Sequence, residues 1–416
     1  MDINAFNRFC VAGWGKSGVA LCDLLLSLKK EVRVSEAKER DSFSPVIINS
    51  YQTKGVNFEF GVHSEKFIKG SQLMILSPGL DTENSQATKI ARTLNIPYVG
   101  ELELSFWLNK AKIVAITGTN GKTTTTYLTH KVLADKRKRV FLGGNIGTPF
   151  SSFVLDTKKG DIVVLEVSSF QLETIIEFKP YIAAVLNIEP DHLDRYPDFT
   201  AYLRAKLNIF KNQDAKDYAL INKNISIRSI IEKEIRSKVI HFSDEFPDDN
   251  LSCVYRIASI FGIGKTDCLK VFSQFQGLPH RLQFVRKIRG ITFINDSKAT
   301  NPSSTKWAIR NINTPIILLA GGKDKGLDYS SILPYLKRVK KINLFGQAAL
   351  KIKEALDSKT DTQVFSSLEE ALLYSFNSAD SGDTVLLSPM CASFDAFKNY
   401  EERGSEFIRL VNDLKD

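Results

Sequence analysis

The segment Ala115-Ile-Thr-Gly118-Thr-Asn-Gly121-Lys122-Thr123-Thr124 follows an apolar run and precedes a helical pattern. Backbone N–H groups at a helix start, together with the helix dipole, favour a phosphate there. In that setting Lys122 reaches terminal phosphates and the Thr123 hydroxyl is a ligand for Mg²⁺. The spacing departs from the usual phosphate loop, because Ile116 stands five residues before Gly121, where that pattern has glycine. A plain strand-to-helix turn is the competing reading; the flanking strand and helix favour nucleotide binding. Downstream, an apolar strand ends in Glu166-Val-Ser168-Ser169, which puts a carboxylate at the strand edge where α/β sheets bind ligands. An acid there suits Mg²⁺ held through oxygen. A third strand runs into Asp191-His192-Leu-Asp194-Arg195-Tyr196, and a histidine between two acids at such an edge points to a metal or phosphate role. Lys206 lies four residues after Tyr202 on a helical run, and spacing alone makes it a solvated lysine.

A second glycine-rich turn, Gly13-Trp-Gly15-Lys16-Ser17-Gly18, also sits between a strand and a helix, with Glu36 at the end of the next strand. This is the dinucleotide fingerprint, but the same geometry serves any diphosphate. Beside a second nucleotide loop, a UDP-like diphosphate is as good a ligand as NAD(P). The turn Ser77-Pro78-Gly79 falls on the same sheet edge.

Positioning these groups takes several α/β units. The 416 residues exceed a single domain. With 43% hydrophobic and 25% charged residues the composition is that of a globular protein, not a disordered or fibrous one. The net charge of +9 is spread along the chain; only Lys136 to Arg139 cluster, which reads as a solvated helix end and not as a nucleic-acid patch. No apolar run approaches the roughly 18 residues of a membrane span. The N-terminus lacks the pattern of a secretory signal, and the five scattered cysteines read as reduced thiols of a cytoplasmic protein. The alternation predicts strands at Arg8–Ala12, Val32–Ser35 and Leu73–Leu76, with helices at Ser17–Leu28 and near Asn84–Leu94. A second unit begins with the strand KIVAIT at Lys112, and a third follows the Gly277-Leu278-Pro279 break. The expected domains are therefore 1–111, 112–279 and 280–416.

Taken in order, TGTNGKTT (117–124), GGNIG (143–147), LEVSSFQLE (165–173), DHLDRY (191–196), YLRAK (202–206), GLPHR (277–281), INDSKATNP (294–302), LAGGKDKG (319–326) and the run from Leu386 to Phe407 resemble the Mur ligases. These are ATP-dependent amide ligases of peptidoglycan precursor synthesis, and the resemblance covers nearly the whole chain. It implies three α/β domains: an N-terminal Rossmann-like domain for the UDP end of the substrate, a central parallel-sheet ATPase-like domain, and a C-terminal Rossmann-like domain for the amino acid. Among family members it is strongest to those joining UDP-N-acetylmuramoyl-L-alanine to D-glutamate.

By that resemblance Gly13, Gly15, Lys16, Ser17, Glu36, Ser77 and Gly79 surround the UDP end, and Asn145 and His192 hold its sugar-lactyl-alanine end. Gly118, Thr119, Asn120, Gly121, Lys122, Thr123 and Thr124 cradle ATP, with Asn250, Arg281, Asp296 and Lys298 completing its site. Thr123, Glu166, His192 and Lys206 serve two Mg²⁺ ions, Lys206 as a carbamate; Lys122, Glu166, His192 and Lys206 form the catalytic set. Thr300, Lys325, Ser393, Phe394 and Tyr400 resemble the D-glutamate site. Two departures stand out: the chain between Asn222 and Asn250 is short, which affects the adenine contact, and Phe394 stands where relatives often have leucine. The implied partners are small molecules only, for a monomer acting in the cytoplasm. The other readings are a related ligase with a different amino acid, an NAD(P)-dependent dehydrogenase using Gly13 to Gly18, and a nucleotide-regulated binding module without catalysis.

Overall fold

A computed structural model describes residues 2–356 and 359–415. Three sheets follow one another along the chain, each built from short runs of Val, Ile, Leu and Phe that are buried on both faces, the pattern of parallel sheets covered by helices. The first sheet contains β1 (Arg8–Ala12), β2 (Glu31–Glu36), β3 (Asn57–Phe60), β4 (Leu73–Leu76) and β5 (Tyr98–Gly100), ordered β3-β2-β1-β4-β5 and parallel throughout. The second contains β6 (Lys112–Thr117), β7 (Val140–Gly144), β8 (Ile162–Glu166), β9 (Ile182–Val185), β10 (Tyr218–Asn222) and β11 (Lys238–Phe242). Its order is β11-β10-β9-β6-β8-β7, again all parallel. The third contains β12 (Gln283–Ile288), β13 (Ile291–Asn295), β14 (Ile316–Gly321), β15 (Val339–Phe345), β16 (Asp361–Val364) and β17 (Thr384–Met390). Its order is β12-β13-β17-β14-β15-β16, and only the β12–β13 pair is antiparallel.

Parallel pairing sends every crossover back through a helix, so the loops leaving the strands gather at one edge of each sheet. Gly13 follows β1, Gly118 follows β6, Glu166 ends β8, Asp296 follows β13 and Ser393 follows β17. The chain divides into two compact units: one runs to Ile188 and resumes over Thr200–Gln274, and the other joins Glu189–Phe199 to the chain from Phe275 onward. In the first unit the two sheets share one hydrophobic core, with Phe9, Leu21 and Val34 in the same cluster as Ile113, Val163 and Phe178.

The link between those two sheets, the helix Glu101–Leu108, is unusual in burying two acids. The Glu103 carboxylate accepts the N–H groups of Ile176 (2.9 Å), Glu177 (2.7 Å) and Phe178 (3.0 Å), and the indole N–H of Trp107 (2.8 Å). Glu101 accepts the Ser151 N–H at 2.6 Å, and burial raises its pKa. A carboxylate that satisfies three successive backbone donors cannot be removed without stranding them. Glu103→Ala should therefore destabilise the protein by about 3 kcal/mol or more, and Glu103→Gln by less. Thermal unfolding followed by circular dichroism checks this, and a Glu103→Ala midpoint equal to that of wild type would refute it.

Candidate active site

The loop after β6 closes on Gly121, which caps the helix Lys122–Lys136 at φ +80°. A Cβ at Gly121 would lie 2.3 Å from Asn250 Oδ1, so both backbone angle and space require glycine. Asn187, just beyond β9, clamps the loop by accepting the Asn120 N–H (2.8 Å) and donating to the Asn120 carbonyl (3.1 Å). Lys122 Nζ turns back to the carbonyls of Gly118 and Thr119, at 2.8 Å each. Lys206 Nζ reaches the same Gly118 carbonyl, also at 2.8 Å.

Lys206 is 2% exposed, which overturns the solvated lysine that helical spacing alone suggests. It lies on the helix Phe199–Leu207 one turn after Tyr202, whose hydroxyl meets Thr119 Oγ1 at 3.0 Å. Thr123 and Thr124 occupy the first turn of the loop's helix. Asn250, the expected adenine contact, accepts from Thr125 Oγ1 (3.2 Å) and so lies against the Gly118–Thr124 loop itself.

Ile116 and Glu166 are register partners across the β6–β8 ladder, which brings the Glu166 carboxylate beside this loop. Its Oε1 accepts from Asn145 Nδ2 at 2.7 Å, whereas Oε2 is buried with no hydrogen-bond partner. Thr117 Oγ1 is likewise buried and unpartnered. A buried carboxylate oxygen without a partner is a donor of the kind Mg²⁺ takes. Among the described residues no three His, Cys, Asp or Glu side chains cluster closely enough to form a metal site by themselves.

At the N-terminal sheet, Gly13 (φ +98°) packs so tightly that a Cβ would strike Ser77, whose hydroxyl donates to the Gly13 carbonyl at 3.2 Å. Glu36 accepts the Trp14 N–H (2.6 Å) and the Lys38 N–H (2.9 Å). Gly15, Lys16 and Gly79 are exposed at the same strand ends, and Ser17 opens the helix Lys16–Ser27.

The remaining expected residues belong to the second unit. Asp191 accepts from Asn301 Nδ2 (3.0 Å), pairs with Lys325 Nζ (3.3 Å) and lies 3.7 Å from His192 Nε2. Burial pushes the Asp191 pKa upward, but the Lys325 ammonium, His192 and Asn301 outweigh it and hold the carboxyl at about 2. His192 adopts φ +55°, a left-handed angle uncommon outside glycine, and donates its N–H to Asp191. Lys298 Nζ stands 3.7 Å above the Tyr400 ring. Thr300 follows on the same loop, Ser393 is buried, and the Phe394 side chain is 66% exposed. Asp296 accepts the Leu282 N–H (3.2 Å) and the Ser388 hydroxyl (2.9 Å), and burial raises its pKa to about 7 despite these bonds and Arg281. Sequence gives one local signal for Asn187, its position after an apolar strand. Asn301 carries one more, since an Asn-Pro step marks a helix start, and it caps Pro302–Asn311.

The chain is 38% identical to the UDP-N-acetylmuramoylalanine--D-glutamate ligase of Thermoanaerobacter pseudethanolicus, over 98% of both chains. It belongs to the Mur ligase family. Residues 116–276 match the Mur ligase middle domain, and residues 280–391 match the Mur ligase, glutamate ligase domain. The ligase of the same name from Geotalea uraniireducens is 35% identical, again over 98% of both chains. Among solved Mur ligase structures, UDP-N-acetylmuramate-alanine ligase from Thermotoga maritima aligns with a TM-score of 0.62 over 98% of this chain and all of its own, at 17% identity. E. coli FolC in complex with DHPP and ADP aligns at a TM-score of 0.57 and 17% identity, over 75% of this chain and 92% of its own. At such identities the structures establish the shared fold, three successive α/β sheets.

The raised Asp296 pKa has a definite sign in stability. Between the ordinary 3.8 and about 7 the folded protein binds more protons at this group than the unfolded chain, so Asp296 makes stability fall as pH rises through that window. Asp296→Asn should remove that component of the slope. Urea midpoints measured from pH 4 to pH 8 check it, and identical slopes in the two proteins would refute it.

Proposed function

We propose that this Mur ligase joins the L-alanyl carboxylate of UDP-N-acetylmuramoyl-L-alanine to the amine of D-glutamate, using ATP, in peptidoglycan precursor synthesis. The observation that carries the reading is full-length similarity, at 38% identity, to an enzyme named for that amino acid. The loop amides of Gly118 to Thr124 and the Lys122 ammonium bind the triphosphate. The substrate carboxylate attacks the γ-phosphorus, ADP leaves, and an acyl phosphate forms. The D-glutamate amine then attacks the acyl carbon, phosphate departs, and the nitrogen loses a proton to leave a neutral amide. Activation is required because a carboxylate resists attack by an amine at neutral pH.

Gly13, Gly15, Lys16, Ser17, Glu36, Ser77 and Gly79 bind the UDP end, and Asn145 and His192 bind the end that reacts. Asn250, Arg281, Asp296 and Lys298 complete the ATP site. Lys325, Thr300 and Ser393 offer an ammonium and hydroxyls to a dicarboxylate, with Phe394 and Tyr400 beside them. Thr123, Glu166, His192 and Lys206 would hold two Mg²⁺ ions; the unpartnered Glu166 Oε2 supports that donor set. Bound Mg²⁺ neutralises charge that builds on the transferred phosphoryl group. Lys206 serves as a carbamate: its ammonium first loses a proton, the neutral amine nitrogen bonds to the carbon of CO₂, and a second proton leaves, so that a cation becomes an anionic oxygen ligand. The enzyme works as a monomer in the cytoplasm, where ATP is supplied; no helix among the described residues is long and apolar enough to cross a membrane.

Phosphate release from ATP and Mg²⁺, with UDP-N-acetylmuramoyl-L-alanine present and single amino acids added in turn, tests the reaction. Release is expected only with D-glutamate. Release with a different amino acid would overturn the roles of Lys325, Ser393 and Tyr400, and no release with any would overturn the ligase reading. Lys206→Ala should lose about a hundredfold or more in turnover and regain part of it with added acetate or formate. Full activity in that variant would refute the carbamate.

A further inference from the structure

Arg403 lies one turn into the helix Tyr400–Asp413 and is completely buried. Its guanidinium donates Nε to Ser297 Oγ (3.0 Å) and Nη2 to the carbonyls of Ser297 (2.8 Å) and Cys391 (3.1 Å). Nη1 faces the carbonyls of Cys391 (3.1 Å), Ala392 (3.3 Å) and Gly321 (3.4 Å). Every acceptor is a neutral oxygen. Burial lowers the pKa only to about 10, so the group stays charged at neutral pH. Burying such a cation is costly unless its donors are satisfied, and here backbone carbonyls from three separate segments satisfy it.

Those segments are the ones that carry the expected amino-acid site. Ser297 sits between Asp296 and Lys298 and just ahead of Thr300; Gly321 ends β14 just ahead of Lys325; Cys391 and Ala392 directly precede Ser393 and Phe394. The Ser297 hydroxyl also donates to the Tyr400 carbonyl at 2.9 Å, which ties in the start of Arg403's own helix. The packing leaves no slack. A Cβ on Gly322 would stand 2.2 Å from the Ala392 carbonyl and 3.0 Å from Arg403 Nη1, and one on Gly404 would stand 2.2 Å from His280 Nδ1.

We propose that Arg403 is a positioning residue for the amino-acid site, a single planar fork that sets the loops bearing Thr300, Lys325 and Ser393 in register. It rests on the D-glutamate reading above. A lysine cannot replace it, because a point charge with three donors on a flexible stem does not span three segments in fixed directions.

Steady-state kinetics of Arg403→Lys and Arg403→Met, with thermal midpoints alongside, test the role. Both variants should raise the KM for D-glutamate by about tenfold or more, while the KM for UDP-N-acetylmuramoyl-L-alanine stays within about threefold. Arg403→Lys keeps the charge and loses the fork, so wild-type kinetics in that variant would overturn the proposal. A fall in kcat alone, matching the folded fraction with every KM unchanged, would also overturn it. If the Arg403 variants do not fold, Ser297→Ala removes only the Nε acceptor and the Tyr400 link. A D-glutamate KM raised about threefold or more is then expected, and an unchanged one refutes the idea. Wild type run in parallel separates the two failures. No D-glutamate dependence in wild type overturns the substrate reading, whereas dependence in wild type with unaltered variants overturns only the role of Arg403.

Discussion

Two lysines meet on one carbonyl oxygen, that of Gly118, and the first unit is arranged around that meeting. Lys122 reaches it from within the loop and Lys206 from the helix after β9, each at 2.8 Å. Two ammonium groups on one neutral oxygen repel each other, and the carbamate proposed for Lys206 would turn that repulsion into attraction. The loop can hold them only because Gly121 turns at positive φ against Asn250 and because Asn187 grips Asn120 from both sides. Parallel pairing of β6 with β8 and β9 brings Glu166 and Asn187 to the same edge, so the sheet order itself assembles the cationic loop, the orphaned carboxylate oxygen and the clamp.

A second device recurs across the molecule: a buried charge satisfied largely by backbone groups. Glu103 takes up three successive N–H groups at 176–178, and Arg403 takes up carbonyls from three separate segments. Each does what apolar packing cannot, because hydrogen bonds to a charged group fix direction as well as proximity. Asp191 belongs to the same class through side chains, with Lys325, His192 and Asn301 holding its carboxyl at about 2. Mechanical precision at these joints comes from polar contacts set inside apolar surroundings, where leaving any donor unmet is expensive.

How readily a strand could be read tracks its place in the sheet. Central strands such as β1, β4, β6, β8 and β17 are buried from end to end or nearly so, and their continuous apolar runs announce them. The strands without such a signal are chiefly the edges: β3, β5, β7, β11, β12 and β16 each close one side of a sheet. Most are half solvated, as in the sequences NFEF of β3 and DTQV of β16, so their residue types resemble those of loops. The interior strand β10, YALIN, is the exception, since it is buried at every residue after Tyr218.

The glycine turns, the acids at strand ends and the order of the motifs are local facts, and from them the three α/β sheets, the family and the loop that begins at Gly118 can be read. Those features depend on backbone angles and strand periodicity, which neighbouring residues dictate. The burial of Lys206, the placement of Asn250 against Gly121, the pairing of Asp191 with Lys325 and the grip of Arg403 depend on the packing of distant segments. Each joins residues separated by dozens to more than a hundred positions, and whether a polar side chain ends in water or in a network depends on what the rest of the chain packs over it.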